Sequence, residues 1–339
     1  MTVRLTRRGF VGAAVAVPAL AALPISLRAV GAQDSIVVTM VTDTAGLGDQ
    51  NFNDLANAGG EKAAADLGIE WKVIESVDIP SYVPNLTAGA EQGPLTVAVG
   101  FLLTDAVTGV AAQFPDEHFA IIDAEVDAPN VQSVLFKEQE AAFLGGIAAG
   151  LLTKTGKIGL IGGQRIPPVI RYEVGFRAGI ESVNPDAEVV IAYADSFGDP
   201  DKGKELALAQ FADGADIVFP VAGLTGVGAY SAVAELNHPG EQWVMGVDVT
   251  QDQNAPGFEY FVVRKGVDIG VYKAIEQEVN GNFTPGINRL GLAEGGVAFE
   301  DPNNRVPADV ANIVNDWQAK ILDGSVVVPS TDEELASFE

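Results

Sequence analysis

The chain has 339 residues, 47% of them apolar, with 20 basic against 46 acidic side chains and no cysteine. That length and apolar content suit two cored domains, while a formal charge of -26 gives no electrostatic footing for a phosphate backbone and argues against nucleic-acid binding. Without cysteine there is no disulfide, thiolate zinc site, iron–sulfur cluster, cysteine nucleophile or lipid-modified N-terminal cysteine, and only His118 and His238 supply imidazole.

Residues 1–32 read as an export signal. Thr6-Arg7-Arg8-Gly9-Phe10-Val11 resembles the twin-arginine pattern, an apolar run extends from Val11 to Leu27, and Val30-Gly31-Ala32 is a small-residue end suited to cleavage after Ala32. A retained signal anchor is the alternative, disfavoured by Pro18, Pro24 and the weakly hydrophobic alanines. Removal deletes four arginines and no acid, taking the charge from -26 to -30. No later stretch reaches about eighteen uninterrupted apolar residues. The mature chain is therefore expected in the periplasm or cell exterior, not inserted in a membrane, and without a lipid anchor.

From there short β-branched runs alternate with longer helical patterns, the signature of βαβ units and mainly parallel sheets. Strands are predicted at 35–42, 71–75, 95–100, 119–123 and 132–136, with a helix over 53–67 and a long apolar helix over 139–152. After Lys154-Thr155-Gly156 the pattern restarts, with strands at 157–161, 187–194, 217–221 and 242–247 and helices over 167–183 and 202–211. A late strand at 260–263 and helix at 267–280 suggest that the chain returns to the first lobe, before a last helix at 307–322. The expected fold class is thus α/β, two similar parallel-sheet lobes joined by a multi-strand hinge. Lobe 1 is assigned 33–147 plus 258–288 and lobe 2 148–257 plus 289–330, with 331–339 a solvated acidic tail.

In open parallel sheets the ligand crevice lies outside the carboxyl ends of the strands. Residues at or just past those ends include Asp43, Gly100-Phe101, Asp123, Gly162-Gly163, Asp195 to Phe197, Gly223 to Gly228 and Asp248. Carboxylates accept hydrogen bonds from vicinal hydroxyls, glycines admit close backbone approach, and aromatic rings supply stacking faces. Asp43 suits a turn or cap as well as a ligand. If Asn53 is the N-cap of its helix, Asn57 and Ala56 satisfy neither a hydrophobic staple nor a capping box, which leaves Phe52 free to face a cleft. Phe197 fits a core or, matched with Phe52 from the other lobe, one side of a grip on a flat ligand. The run Val221 to Gly228 lacks a P-loop ending and a dinucleotide fingerprint, so its glycines better suit a sugar or a hinge. Asp248 is the candidate diol acceptor. Lys265 follows the late strand and is either a cleft donor or surface charge, with Arg264 a competing register.

Chemistry beyond binding finds little support. His118 and His238 read as exposed connections at the far end of the sheet, and neither a G-x-S-x-G elbow nor an H-E-x-x-H motif is present. The expectation is a non-enzyme without cofactor or metal.

At these residues the sequence resembles the basic membrane protein family of solute-binding proteins, which includes purine nucleoside receptors of ABC importers. The similarity spans 36–330. It rests on Val41-Thr42-Asp43 through Asp49-Gln50-Asn51-Phe52-Asn53, Ile121-Ile122-Asp123, Phe143-Leu144-Gly145-Gly146, Phe197-Gly198-Asp199-Pro200, Val221-Ala222-Gly223 with Thr225-Gly226, and Gly246-Val247-Asp248. The resemblance implies a type I periplasmic-binding-protein fold whose lobes close on a nucleoside. It implies that Phe52 and Phe197 sandwich the base, that Asp43, Asn53 and Asp123 contact polar edges, and that Asp248, Lys265 and the Gly223, Thr225 and Gly226 loop hold the ribose. Leu224, Val227 and the missing lipobox cysteine depart from the family pattern. The expected partners are a small nucleoside-like solute and an ABC permease, the protein itself being a monomer; another ring-containing solute, a sugar, or a nucleosidase activity are the competing readings.

Overall fold

The computed structural model describes residues 1–2 and 35–338, so the segment read above as an export signal lies, but for its first two residues, outside the described residues. The chain first lays down β1 (Val37–Val41), α1 (Phe52–Leu67), β2 (Glu70–Ile74), α2 (Tyr82–Ala90), β3 (Leu95–Val99), α3 (Thr104–Ala111), β4 (His118–Ile122) and β5 (Val131–Phe136). The second series is α4 (Glu138–Leu152), β6 (Lys157–Gly162), α5 (Pro167–Val183), β7 (Glu188–Tyr193), α6 (Pro200–Ala212), β8 (Ile217–Val221), α7 (Leu224–Leu236), β9 (Trp243–Asp248) and β10 (Glu259–Lys265). It ends with α8 (Val267–Val279), β11 (Gly286–Leu290), β12 (Val297–Glu300), α9 (Ala308–Leu322) and α10 (Asp332–Leu335).

Among the described residues two six-stranded sheets result, ordered β11-β5-β4-β3-β1-β2 and β12-β10-β9-β8-β6-β7. The first is parallel throughout; in the second only β12 runs antiparallel, against β10. Every residue of β3, β5 and β8 is buried, because helices cover both faces of a parallel sheet and leave no polar side to alternate. Val41, Ala98 and Phe119 pack on α2 and α3 through Tyr82, Leu86 and Val107. Val38 and Met40 look the other way, into a core shared with Ala56 and Ala63 of α1 and Val271 and Ile275 of α8. In the second lobe α4 and α5 take one face and α6 and α7 the other.

The α4–α5 contact explains a sequence feature. A methyl group at Gly146 would lie 2.2 Å from the Phe176 carbonyl oxygen, and one at Gly179 would lie 2.1 Å from that of Phe143. Only glycine lets the two helices approach so closely.

Several expectations are corrected. Because α4 packs on α5, β10 and β12, it belongs to the second lobe, and the first crossing falls at Lys137 rather than at 147. β10 pairs with β9 and β12, so the return to the first lobe comes after Lys265 rather than at 258. Periodicity identifies a strand; which sheet it joins depends on pairing. α8 and β11 lie in the first lobe, and the chain crosses for the third time between Leu290 and Val297. β11 and β12 have no counterpart among the predicted strands: β11 is a mostly exposed edge strand, Gly-Ile-Asn-Arg-Leu, without an apolar run. The acidic tail is docked: Leu335 is buried, Phe338 sits edge-on to Phe143 at 6.0 Å, and Asp332 pairs with Arg165 at 2.6 Å. His118 opens β4, where Phe283 stacks on it at 4.0 Å and Glu278 lies 2.6 Å from its Nδ1.

Candidate functional site

The two sets of strand ends line one cavity between the lobes, with about 610 Å³ of empty space including its open mouth, a size typical of small-molecule pockets. From the first lobe come Asp43, Phe52, Asn53, Gly100, Phe101 and Asp123; from the second, Ile166, Val169, Tyr172, Phe197, Gly223, Asp248 and Lys265.

The α1 entrance shows how these side chains are set. Asn51 is the N-cap, its side chain accepting the Phe52 N–H. Asp49 collects the N–H groups of Asn51, Asn53 and Asp54 at 3.1, 2.7 and 3.1 Å, satisfying donors that a helix start leaves unpaired. Asn53 is therefore not the cap, so the condition on which the sequence argument for Phe52 was framed is not met. The Asn53 amide is free to donate to Asp43 Oδ1 at 2.9 Å and Asp49 Oδ2 at 3.0 Å, and its own Oδ1 is buried without a partner among the described residues.

Asp123 and Asp248 stand at the ends of β4 and β9, third in both sheet orders, and both adopt left-handed backbone, φ 70° and 63°. Aspartate tolerates that region better than most residues. Asp248 Oδ1 accepts the Tyr172 hydroxyl at 2.8 Å. Asp123 Oδ2 meets Lys265 Nζ at 2.5 Å, while Asp123 Oδ1 is buried with no partner among the described residues. Lys265 also touches Glu138 Oε1 at 3.0 Å and lies 5.2 Å from the centre of the Phe52 ring. Arg264 turns away to Asp268 at 3.0 Å and Glu300 at 3.5 Å, so Lys265 is the residue that faces the cavity.

Burial dominates the electrostatics. It pushes the carboxyls of Asp43 and Asp248 up to about 6, against the opposing pull of the Asn53 amide on the first and of Lys265 and Tyr172 on the second. Burial raises Asp123 as well, in spite of Lys265. Burial disfavours the Lys265 ammonium, but Asp123, Glu138 and Asp248 outweigh it and hold the ammonium charged. Glu138 is likewise buried, yet Lys265 and Arg171 together keep its carboxyl below the usual range.

Phe52 and Phe197 are both half-buried and belong to opposite lobes. The Phe197 ring rests on Gly163, where a methyl group would come within 2.3 Å of Cε1. Their places are not equivalent, as the sequence pairing had them: Phe52 opens the helix after β1, whereas Phe197 follows β7, the counterpart of β2.

Of the predicted residues, Asp43, Phe52, Asn53, Asp123, Phe197, Gly223, Asp248 and Lys265 line the cavity. Thr225 and Gly226 do not. Thr225 Oγ1 accepts the Asp199 N–H at 2.8 Å and donates to Ser196 O at 3.0 Å, and its N–H donates to Phe197 O at 3.0 Å, so it shapes the loop that carries Phe197. Gly226 packs beside Pro220. Tyr172, Asp49 and Glu138 were missed by the strand-end rule because they lie on a helix, in a loop before one, and at a helix start. The acidic first residue of α4 was the available signal for Glu138, since a carboxylate suits the positive end of a helix.

A family model described as "ABC transporter substrate-binding protein PnrA-like" matches residues 36–332. Among curated relatives, the ABC transporter nucleoside-binding protein BmpA of Lactococcus lactis is 33% identical over 86% of this chain and 88% of its own. An uncharacterized lipoprotein of Pyrococcus horikoshii is 35% identical over 79% of this chain and 69% of its own. The crystal structure of an ABC transporter system solute-binding protein from Aeropyrum pernix matches with a TM-score of 0.82 at 31% identity, covering 89% of this chain and 96% of that one. The two parallel-sheet lobes are thus those of the type I periplasmic solute-binding fold. Relatives from Pyrococcus abyssi and Pyrococcus furiosus are also named lipoproteins. These names overturn the expectation of a protein without a lipid anchor, which rested on the missing cysteine, a feature that speaks to one linkage chemistry alone. Among the described residues no helix is long and apolar enough to cross a membrane.

Proposed function

This chain belongs to the PnrA-like family of ABC transporter substrate-binding proteins, and on that premise we propose that it captures a nucleoside, purine nucleosides foremost, between its lobes and presents it unaltered to a permease. The observation that carries this reading is the joint presence, in one cavity, of aromatic rings from both lobes with four carboxylates, those of Asp43, Asp49, Asp123 and Asp248, and an ammonium. Two aromatic faces suit a planar base, each stack contributing roughly 1–3 kcal/mol in nucleobase systems. The carboxylates suit the hydroxyls of a ribose, which need acceptors. The nucleoside-binding name of the Lactococcus lactis relative supports the same class. Because ring and carboxylate contacts come from both sides, the full set forms only with the lobes together, and closure selects the ligand that satisfies both.

Calorimetry on ligand-stripped protein tests this with inosine, adenosine, guanosine, uridine, free bases, riboflavin, ribose and glucose. Purine nucleosides are expected to bind at about 1 µM or tighter, which is about 8 kcal/mol, with free base and free ribose much weaker. Tight binding of a sugar with no response to any nucleoside would overturn the assignment. Release of hypoxanthine and ribose from inosine would make the protein a nucleosidase instead.

A further inference from the structure

Glu138 has no part in the reading above, yet its side chain is fully buried at the first position of α4, directly after the first crossing between lobes. Its Oε1 lies 3.0 Å from Lys265 Nζ, at the end of β10 directly before the second crossing. Its Oε2 accepts from Arg171 Nε at 2.6 Å, and the N-terminal end of α4 adds a favourable dipole. Asp123 Oδ2 holds the same ammonium from the first lobe at 2.5 Å. An ammonium has three N–H donors. Two are directed at carboxylates, which leaves one, next to the unpaired Oδ1 of Asp123. A donor beside an acceptor is the arrangement that grips a hydroxyl, which both gives and takes a hydrogen bond.

We infer that Glu138 is a positioning residue that draws Lys265 to one side, so that the ammonium engages only Oδ2 of Asp123 and leaves its third N–H and Asp123 Oδ1 as this donor–acceptor pair; the inference rests on the proposal that ligand hydroxyls are bound there. The charged and titratable groups around Lys265 are Asp123 after β4, Glu138 on α4, Arg171 and Tyr172 on α5 and Asp248 on β9, and the ring of Phe52 lies on the α1 side. Among the described residues only Asp123 and Glu138 are within ion-pairing distance of it. With Glu138 neutralised, Arg171 and Lys265 compete for Asp123. The ammonium then turns onto both Asp123 oxygens, and the acceptor meant for the ligand is consumed.

The test compares inosine affinity in the unsubstituted protein, in Glu138→Gln and in the double variant Glu138→Gln, Arg171→Met, which restores charge balance and so keeps the fold if the single variant loses it. A positioning role predicts inosine binding weakened by about tenfold to a hundredfold in the double variant while its melting temperature stays close to that of the unsubstituted protein. Recovery of full affinity in the double variant would reduce Glu138 to a counter-charge for Arg171 and overturn the inference. A second readout needs no ligand: the Lys265 13Cε resonance, assigned by its loss in Lys265→Met, is expected to titrate at lower pH in the double variant than in the protein carrying Arg171→Met alone. An unmoved titration overturns the inference as well. If the unsubstituted protein binds no nucleoside, the proposed function fails on its own, and the Lys265 titration still decides the role of Glu138.

Discussion

The two lobes repeat one backbone plan and answer it with different chemistry. Each third strand, β4 or β9, ends in a buried aspartate with positive φ, lining the shared cavity. Asp248 is answered from within its own lobe by the neutral hydroxyl of Tyr172. Asp123 is answered from the opposite lobe by the charged Lys265. The difference teaches that the fold sets where a carboxylate stands, while the element packed opposite sets what it does: one aspartate completes its lobe, and the other ties the two lobes together at the crossings.

Removing each aspartate breaks this comparison most strongly. Asp123→Ala leaves Lys265 buried with one carboxylate, and is expected to lower stability by about 3 kcal/mol and nucleoside affinity by about a hundredfold or more. Asp248→Ala leaves one hydroxyl unpaired, so about 1–2 kcal/mol of stability and about a tenfold loss of affinity are expected. Thermal melts and calorimetry decide; equal losses would mean that the charged tie contributes nothing special.

The lobes are expected to share the next effect. Burial raises Asp43 and Asp248 from the unfolded value near 3.8 to about 6. Between those values the folded state keeps protons that the unfolded chain has released, so their contribution to stability is present in acid and is lost as pH rises through about 6. Binding that uses ionised acceptors runs the opposite way. Nucleoside affinity is expected to fall by about tenfold or more per pH unit below about 6, while the ligand-free melting temperature shows the reverse trend. Asp43→Asn and Asp248→Asn sharpen the point, since each is expected to remove part of the slope in a titration by calorimetry; removal of all of it by one variant would show that one lobe carries the dependence.

The smallest effect concerns a neutral tie between the lobes. Gln251 Nε2 donates to the Gln50 carbonyl at 3.1 Å across the cleft, and Gln50 itself has positive φ. A neutral hydrogen bond contributes about 0.5–1.5 kcal/mol, so Gln251→Ala is expected to speed ligand release by about three- to tenfold in stopped-flow measurements. An unchanged release rate would leave the Asp123–Lys265 pair as the tie that matters.

Much of this molecule could be read along the chain. The helix over 167–183 was predicted to the residue, and most strands to within one or two positions, since burial on both faces writes itself as a continuous apolar run. Asp43, Asp123, Phe197, Gly223 and Asp248, which line the cavity, were singled out because crevices in such sheets open at strand ends, whereas Phe52 came from the helix-start argument and Asn53 from the family resemblance. Thr225 and Gly226 stand in an equally suggestive loop, but Thr225 spends its hydrogen bonds on the Phe197 turn instead of on the cavity. The short helices α2 and α3 and the polar edge strand β11 carried too little periodicity to be seen.

Composition and local periodicity were enough for the class of fold, the succession of its elements and the kind of residue that ends each strand, because those properties depend on neighbours a few positions apart. The docking of the acidic tail, the sheet that claims β10 and the choice of Lys265 over Arg264 were not encoded at that range. Lys265 and Asp123 are 142 positions apart, and their charges meet only because the chain crosses between lobes three times; an electrostatic partner is chosen by distance through space, which no local pattern records.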